Sequence, residues 1–384
     1  MPDWCQRSVE RFAQEGVGSR IREARSDPLL CKSLTSTSVP RGTQPVEKSP
    51  VPLIIRTLDA HTAGEPLRLI TEGWPAPKGA TMLERRAWAR AKQDALRRAV
   101  MFEPRGHADM YGALLTEPER ADSDAGVLFM HNEGFSTMCG HGIIAVVTIA
   151  VERGIITARG GDAITLDAPA GQIRARAHRG PNGGRPRVER VSFINVPSFV
   201  LAAAVPIECN GRRLSVDIAF GGAFYAIVDA ESAGLAVTPD RLPALRDTGM
   251  TIARAVERAI TVVHPAEPGL TGIYGTIFTG PPSAPGADLK NVTIFADHEV
   301  DRSPCGTGTC AVLAVLDAMG LVDPSRPFVH ESLIGTTFSA RVVDRTTVGD
   351  HPAIVPELSG SAWITGEHTF LVDPDDPLAK GFRI

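Results

Sequence analysis

The chain has 384 residues, 43% of them hydrophobic, with 40 Lys and Arg against 44 Asp and Glu and a net charge of -4. That balance offers no extended basic face for nucleic acid, and the longest apolar runs, such as IIAVV and CAVLAVL, fall far short of the roughly 18 residues that span a bilayer. Six cysteines, at 5, 31, 139, 209, 305 and 310, lack the dense spacing of a secreted disulfide scaffold, so reduced thiols and a cytoplasmic location are expected.

Residues 1–50 carry no sustained apolar periodicity and read as a mobile N-terminal extension, neither signal nor transit peptide. From Val51 onward, short β-branched runs alternate with helical segments, and the length suits two domains. VPLIIRT, AGVLFM, VERVSFI, LSVDIAF, FYAIVD and NVTIFA read as strands. ERRAWARAKQDALRRAV, residues 84–100, has the charge density of a solvated surface helix, and its arginines are not expected to form a binding patch. GGRP and PPSAPGAD are expected to be loops.

Two further helices are expected where CGHGIIAVVTIAVERGII begins at Cys139 and CGTGTCAVLAVLDAMGLV at Cys305. The strings share Cys, Gly, Gly, Ala, Val and a late Gly at identical offsets, which is an internal repeat. Both are apolar nearly all round, as expected of a helix enclosed on every side. Gly154 and Gly320 stand where left-handed caps would end them. A cysteine in the first turn of a helix faces unpaired N–H groups and the positive end of the dipole, which favours its thiolate over the ordinary thiol of pKa about 8.5. The adjoining glycines leave backbone amides open to a small carboxylate. If both helix starts face one cleft, two sulfurs flank one α-carbon, and a proton can leave one face and return on the other. Packing cysteine is the plainer reading of one such site, but two at equivalent repeat positions argue against it.

DAHTAGEP (59–66), EPRGHADMYGA (103–113), NEGFSTMCGHG (132–142), GGAFYAIVDA (221–230) and DRSPCGTGT (301–309) together resemble the proline racemase family, which includes hydroxyproline epimerases and trans-3-hydroxy-L-proline dehydratases. The resemblance covers about residues 51–384. It implies an α/β fold like that of diaminopimelate epimerase: two pseudo-symmetric domains, each a barrel-like sheet around a buried helix, with the site between them. The expected division is 51–195 with Cys139, 196–354 with Cys305, and a C-terminal segment from about 355 to 384 that returns to the first domain. By position, Cys139 and Cys305 match the family's two acid/base residues. Gly140 with His141, and Gly306 with Thr307, match the amides that hold the substrate carboxylate, and Asp301 matches the acid that meets the ring nitrogen. The implied partner is a small molecule, proline or a hydroxyproline, with a homodimer common among relatives and no nucleic acid or membrane involved.

The resemblance departs from itself at one point. FMHNEGFSTMCGH, IYGTIFTG and TGEHTFLVDPDDPL are closer to the dehydratase branch, which usually carries threonine where this chain has Cys305. Inversion needs two proton carriers, so Cys305 favours racemisation or epimerisation; dehydration to pyrroline-2-carboxylate is the alternative. A silent amino-acid binder or a thiol redox sensor is the non-enzyme reading. No cofactor is indicated: a metal at Cys139 and His141, joined by His61 or His107, lacks supporting spacing. Cys310 is expected in the core, and the crowded Asp59, His61 and Glu65 are expected to brace a turn.

Overall fold

The structure, a computed structural model, describes residues 51–157, 161, 163–180 and 187–384. The expected extension 1–50 and the GGRP loop lie outside the described residues. Five α-helices occur among those described: α1 (Met82–Lys92), α2 (Asp94–Met101), α3 (Gly140–Arg153), α4 (Leu242–Ala259) and α5 (Gly306–Ala318). All six β-branched runs form strands, since branched side chains suit a pleated, half-buried surface.

The strands fall into two ladders of the same design. In the first, Ala362–Val372, Leu53–Thr62, Glu65–Glu72, Tyr111–Thr116, Ala125–His131, Ala163–Ala168, Gly171–Arg179 and Val188–Ile194 are successive neighbours. In the second the order is Ser198–Cys209, Arg212–Phe220, Phe224–Asp229, Gly275–Gly280, Leu289–Phe295, Phe328–Glu331, Thr337–Val348 and His351–Gly360. Both run antiparallel, antiparallel, parallel, antiparallel, parallel, antiparallel, antiparallel. A parallel pair needs a long crossover, and each of the four contains helix: α1 and α2, then α3, in the first half; α4, then α5, in the second. His351–Gly360 also pairs with Ser198–Cys209, closing the second ladder into a barrel, and with Val188–Ile194, joining the halves.

The last crossover helix of each half lies inside its barrel. Gly140 through Ala150 of α3 and Gly306 through Val315 of α5 are all buried, which accounts for their lack of a polar face. Cys310 is fully buried within α5, in the core as expected. Gly154 ends α3 at φ 64°, and Gly320 follows α5 at φ 71°, both left-handed.

One local expectation fails. The single helix over 84–100 is two helices meeting at Gln93, and Arg97 is buried, donating to the carbonyls of His131 and Asn132. Its neighbours Val100 and Met101 also turn inward, an apolar face that the run of charges hides in a linear reading. Helix α4 was absent from the linear reading, because Thr248 and Gly249 hold two inward positions of the stripe that Leu245, Ile252, Ala253 and Val256 continue. Gly249 belongs there for close approach: a Cβ on it would stand 2.8 Å from Ile294 Cβ in the sheet beneath.

Candidate active site

The two barrels bring the starts of α3 and α5 together. A Cβ on Gly140 would stand 2.5 Å from Gly306 Cα, and one on Gly306 would stand 2.4 Å from Gly140 Cα. The helix ends thus meet backbone to backbone, a contact that any side chain would part. The amide nitrogens of Thr307 and His141 each lie 3.1 Å from the Cβ position of the opposite glycine. First-turn N–H groups lack intrahelical acceptors, so two positive helix ends converge at this point.

Cys139 and Cys305 are the residues immediately before these helices, 4% and 5% exposed. Cys139 is extended, φ -148° and ψ 110°, and its Sγ accepts from Gly142 N at 3.1 Å. Cys305 has φ 63° and ψ 108°, with no capping hydrogen bond from its side chain. The expected lowering of the thiol pKa is not what the site produces. Burial pushes both thiols up, well beyond what the Gly142 amide offsets at Cys139, and nearby Asp301 adds to the rise at each. Both sulfurs are therefore neutral thiols at rest.

His141 and Asp301 sit on either side of this pair's polar wall. His141 Nδ1 lies 3.3 Å from Cys139 Sγ and 3.9 Å from Asp301 Oδ2. Burial, then the charge of Arg302, drives the imidazole down to about 3, so it is neutral. Asp301 accepts from Ser303 N at 2.8 Å and Ser303 Oγ at 2.6 Å, but burial prevails and lifts its carboxyl to about 6. Thr307 turns its hydroxyl to Tyr225, 2.6 Å between oxygens. All seven site residues expected from sequence are thus buried around the meeting of the two helices.

Sequence reasoning missed the aromatic wall. The chain has only three tyrosines, and all three reach this place. Tyr111 Oη is 2.6 Å from Ser136 Oγ and 3.1 Å from Tyr274 Oη; Tyr225 Oη is 3.6 Å from Cys305 Sγ. Tyr225 and Tyr274 meet edge to face at 5.8 Å, and Tyr111 meets His141 likewise at 4.7 Å. Burial raises all three phenols, keeping them neutral donors. A usable signal existed: each tyrosine lies in or beside a motif already singled out, in DMYGA, AFYAI and IYGTI.

The DAHTAGEP turn braces rather than reacts. Asp59 is held by Arg68 at 2.8 Å, while Glu65 accepts from Arg302 N at 2.7 Å, tying the first hairpin to the residue beside Asp301. His61 Nδ1 accepts from Gly64 N, and His107 Nδ1 faces the Ala108 carbonyl. With amides for a carboxylate, an acid for an ammonium and a thiol from each half, the arrangement can hold a small amino acid and move a proton at its α-carbon.

The family described as Proline racemase matches residues 57–383. A Bacillus cereus protein named trans-3-hydroxy-L-proline dehydratase is 50% identical over 332 residues, 86% of this chain and 98% of that protein. Among solved structures, a probable proline racemase from Agrobacterium radiobacter with bound carbonate is 33% identical with a TM-score of 0.80. A hydroxyproline epimerase from Agrobacterium vitis with bound trans-4-OH-L-proline is 30% identical with a TM-score of 0.79. Each comparison covers 86% of this chain and 96% of the other.

Proposed function

Because this chain belongs to the proline racemase family, we propose that it inverts the α-carbon of a hydroxyproline by a two-thiol proton transfer. Cys139 reacts in its ionised form, which burial makes the minor one, after losing its own proton to solvent: this thiolate takes the α-proton, the electron pair left on carbon delocalises into the carboxylate, and Cys305, as thiol, gives a proton to the opposite face. Gly140, His141, Gly306 and Thr307 hold the carboxylate through their amides, where two helix ends stabilise the added charge. Asp301 accepts from the ring ammonium. That chemistry asks for neither a metal nor pyridoxal phosphate. The observation that carries the reading is the meeting of Gly140 with Gly306, which sets the two cysteine-bearing helix starts against each other. Three phenol hydroxyls in one buried wall, already hydrogen-bonded to other hydroxyls, offer a ring hydroxyl partners it can join, which favours a hydroxylated ring over plain proline.

A second reading is elimination of water from trans-3-hydroxy-L-proline, giving pyrroline-2-carboxylate. It is favoured by the 50% identity to a protein of that name and by Tyr225, a neutral donor beside Cys305. Proton NMR in deuterated water with L-proline, trans-4-hydroxy-L-proline and trans-3-hydroxy-L-proline separates the two. Deuterium at the α-carbon with a D-configured product is expected; pyrroline-2-carboxylate without inversion would replace the first reading by the second, and no turnover would refute both.

We also take the enzyme to be cytoplasmic, in keeping with its free cysteines 139, 209, 305 and 310. We place one lobe at 51–195 with the C-terminal strand Ala362–Val372, and the other from 196 through the strand His351–Gly360, a few residues past the expected 354, closing on the substrate. A homodimer is supported by the exposed cross-strand pair Ile54 and Leu371, 49% and 58% accessible. Sedimentation with and without pyrrole-2-carboxylate, a planar mimic of the carbanion, tests both points.

A further inference from the structure

Both cysteines are buried, so a substrate must pass through something to reach them. A cavity of about 270 Å³ lies against the tyrosine wall, bordered by Tyr274, Ser136, Thr137, His131, Arg86 and Arg90. Tyr274 and Ser136 both hydrogen-bond Tyr111, whose ring meets His141 beside Cys139, so the cavity borders the same tyrosine wall that the thiols do. The Tyr274 ring is stacked on Phe295 at 5.4 Å.

The charge at this mouth is unbalanced. Arg86 and Arg90 lie one helical turn apart on α1, a spacing at which like charges repel. Neither forms an ion pair with a carboxylate among the described residues; Arg86 instead gives Nε–H to the Phe135 carbonyl at 2.7 Å. Burial and the charge of Arg90 together depress the Arg86 guanidinium. Glu133 also borders the cavity, but its carboxylate is engaged by Arg383. The remaining positive potential at this cavity suits a carboxylate.

We propose that this cavity is the substrate's antechamber and that Arg86 and Arg90 recruit the carboxylate into it before it passes Tyr274 to the amides of α3 and α5. The inference rests on the reading that the site binds an imino-acid carboxylate. Arg86 and Arg90 are recruiting residues and touch no reacting atom. They act on association, where focused charge typically changes rates by about tenfold or more and does so in a salt-dependent way.

The test uses the full chain and two probes that differ in one charge, pyrrole-2-carboxylate and the neutral pyrrole-2-carboxamide, followed by stopped-flow tyrosine fluorescence at several ionic strengths. For the double variant Arg86→Gln/Arg90→Gln, the carboxylate's association rate is expected to fall about tenfold and to lose its salt dependence, with dissociation nearly unchanged. The carboxamide should be unaffected, and Arg86→Lys/Arg90→Lys should restore most of the rate. Thr271→Trp, which narrows the cavity rim without altering charge, should slow both probes equally. Equal slowing of both probes in the Gln variant would show a structural role and overturn the proposal. So would carboxylate binding that is salt-independent in the unaltered protein, or indifference of both probes to Thr271→Trp. If the unaltered protein binds neither probe, the reading of the site itself fails; if it binds the carboxylate without the Arg dependence, only the recruitment does.

Discussion

Cys139 and Cys305 occupy equivalent places in matching ladders, yet the chain delivers them differently. Ser136 pairs with Phe129 in the first half as Asp301 pairs with Thr293 in the second, so these two residues correspond. From Ser136 the chain takes three steps to its cysteine; from Asp301 it takes four, and the extra residue is absorbed at Cys305, which is forced to φ 63°. The first thiol is capped by Gly142 N and neighbours a neutral imidazole, whereas the second caps no helix amide, sits at positive φ and neighbours the Tyr225 phenol; Asp301 raises both. On the proposed mechanism the repeat supplies two proton carriers, and the departures from symmetry let the site tell one end of an imino acid from the other. A ring nitrogen lies to one side of the α-carbon, and Asp301, in one half alone, is the acid proposed to meet it.

That comparison is most directly broken at the sulfurs. Cys139→Ala should lower both α-deuterium exchange and elimination by about a hundredfold to ten-thousandfold, the usual range for losing a general base. Cys305→Thr should lose the D-configured product to the same degree while keeping deuterium wash-in on the Cys139 face, read by NMR. Identical behaviour of the two variants would mean the halves are not differentiated.

Asp301→Asn should reduce kcat/KM about thirtyfold, the worth of a charge-assisted hydrogen bond. The pH profile sharpens the point. With its carboxyl near 6, Asp301 is ionised above that value and protonated below it, while the substrate's ammonium stays charged throughout. The unaltered enzyme should therefore lose kcat/KM as pH falls through 6, and Asp301→Asn should flatten that limb. Because burial raises both thiols, no compensating fall is expected below about pH 9.

Smaller effects test the walls and the backbone. Tyr225→Phe should reduce discrimination between hydroxyproline and proline about tenfold, measured as a ratio of kcat/KM values. Gly140→Ala and Gly306→Ala should each destabilise the fold by about 1–3 kcal/mol in urea melts, because the added methyl meets main chain that cannot move aside. Smallest, glycine at position 305 should relieve about 1 kcal/mol of backbone strain that Cys139→Gly has no counterpart for, so the two glycine variants should differ in midpoint by that sign.

What the sequence by itself determined is what local pattern and repetition encode. Alternating branched residues fixed six strands, apolarity on every face marked α3 and α5 as enclosed, and the shared Cys-Gly offsets disclosed two halves and named both sulfurs. Gly154 and Gly320 were legible as caps because the left-handed turn is a property of a few consecutive residues. What only the tertiary structure decided depends on segments far apart in the chain. Helix α4 lays its inward face, with Gly249 in it, on a sheet that the linear string does not show. The thiols are raised rather than lowered because burial, which no string of residues reports, outweighs the helix ends. The three tyrosines, drawn from three separate strands or strand ends, become one wall only after both barrels close. Arg86, read along the chain as one more solvated charge, acquires a role only when folding sets it at the mouth of a buried site.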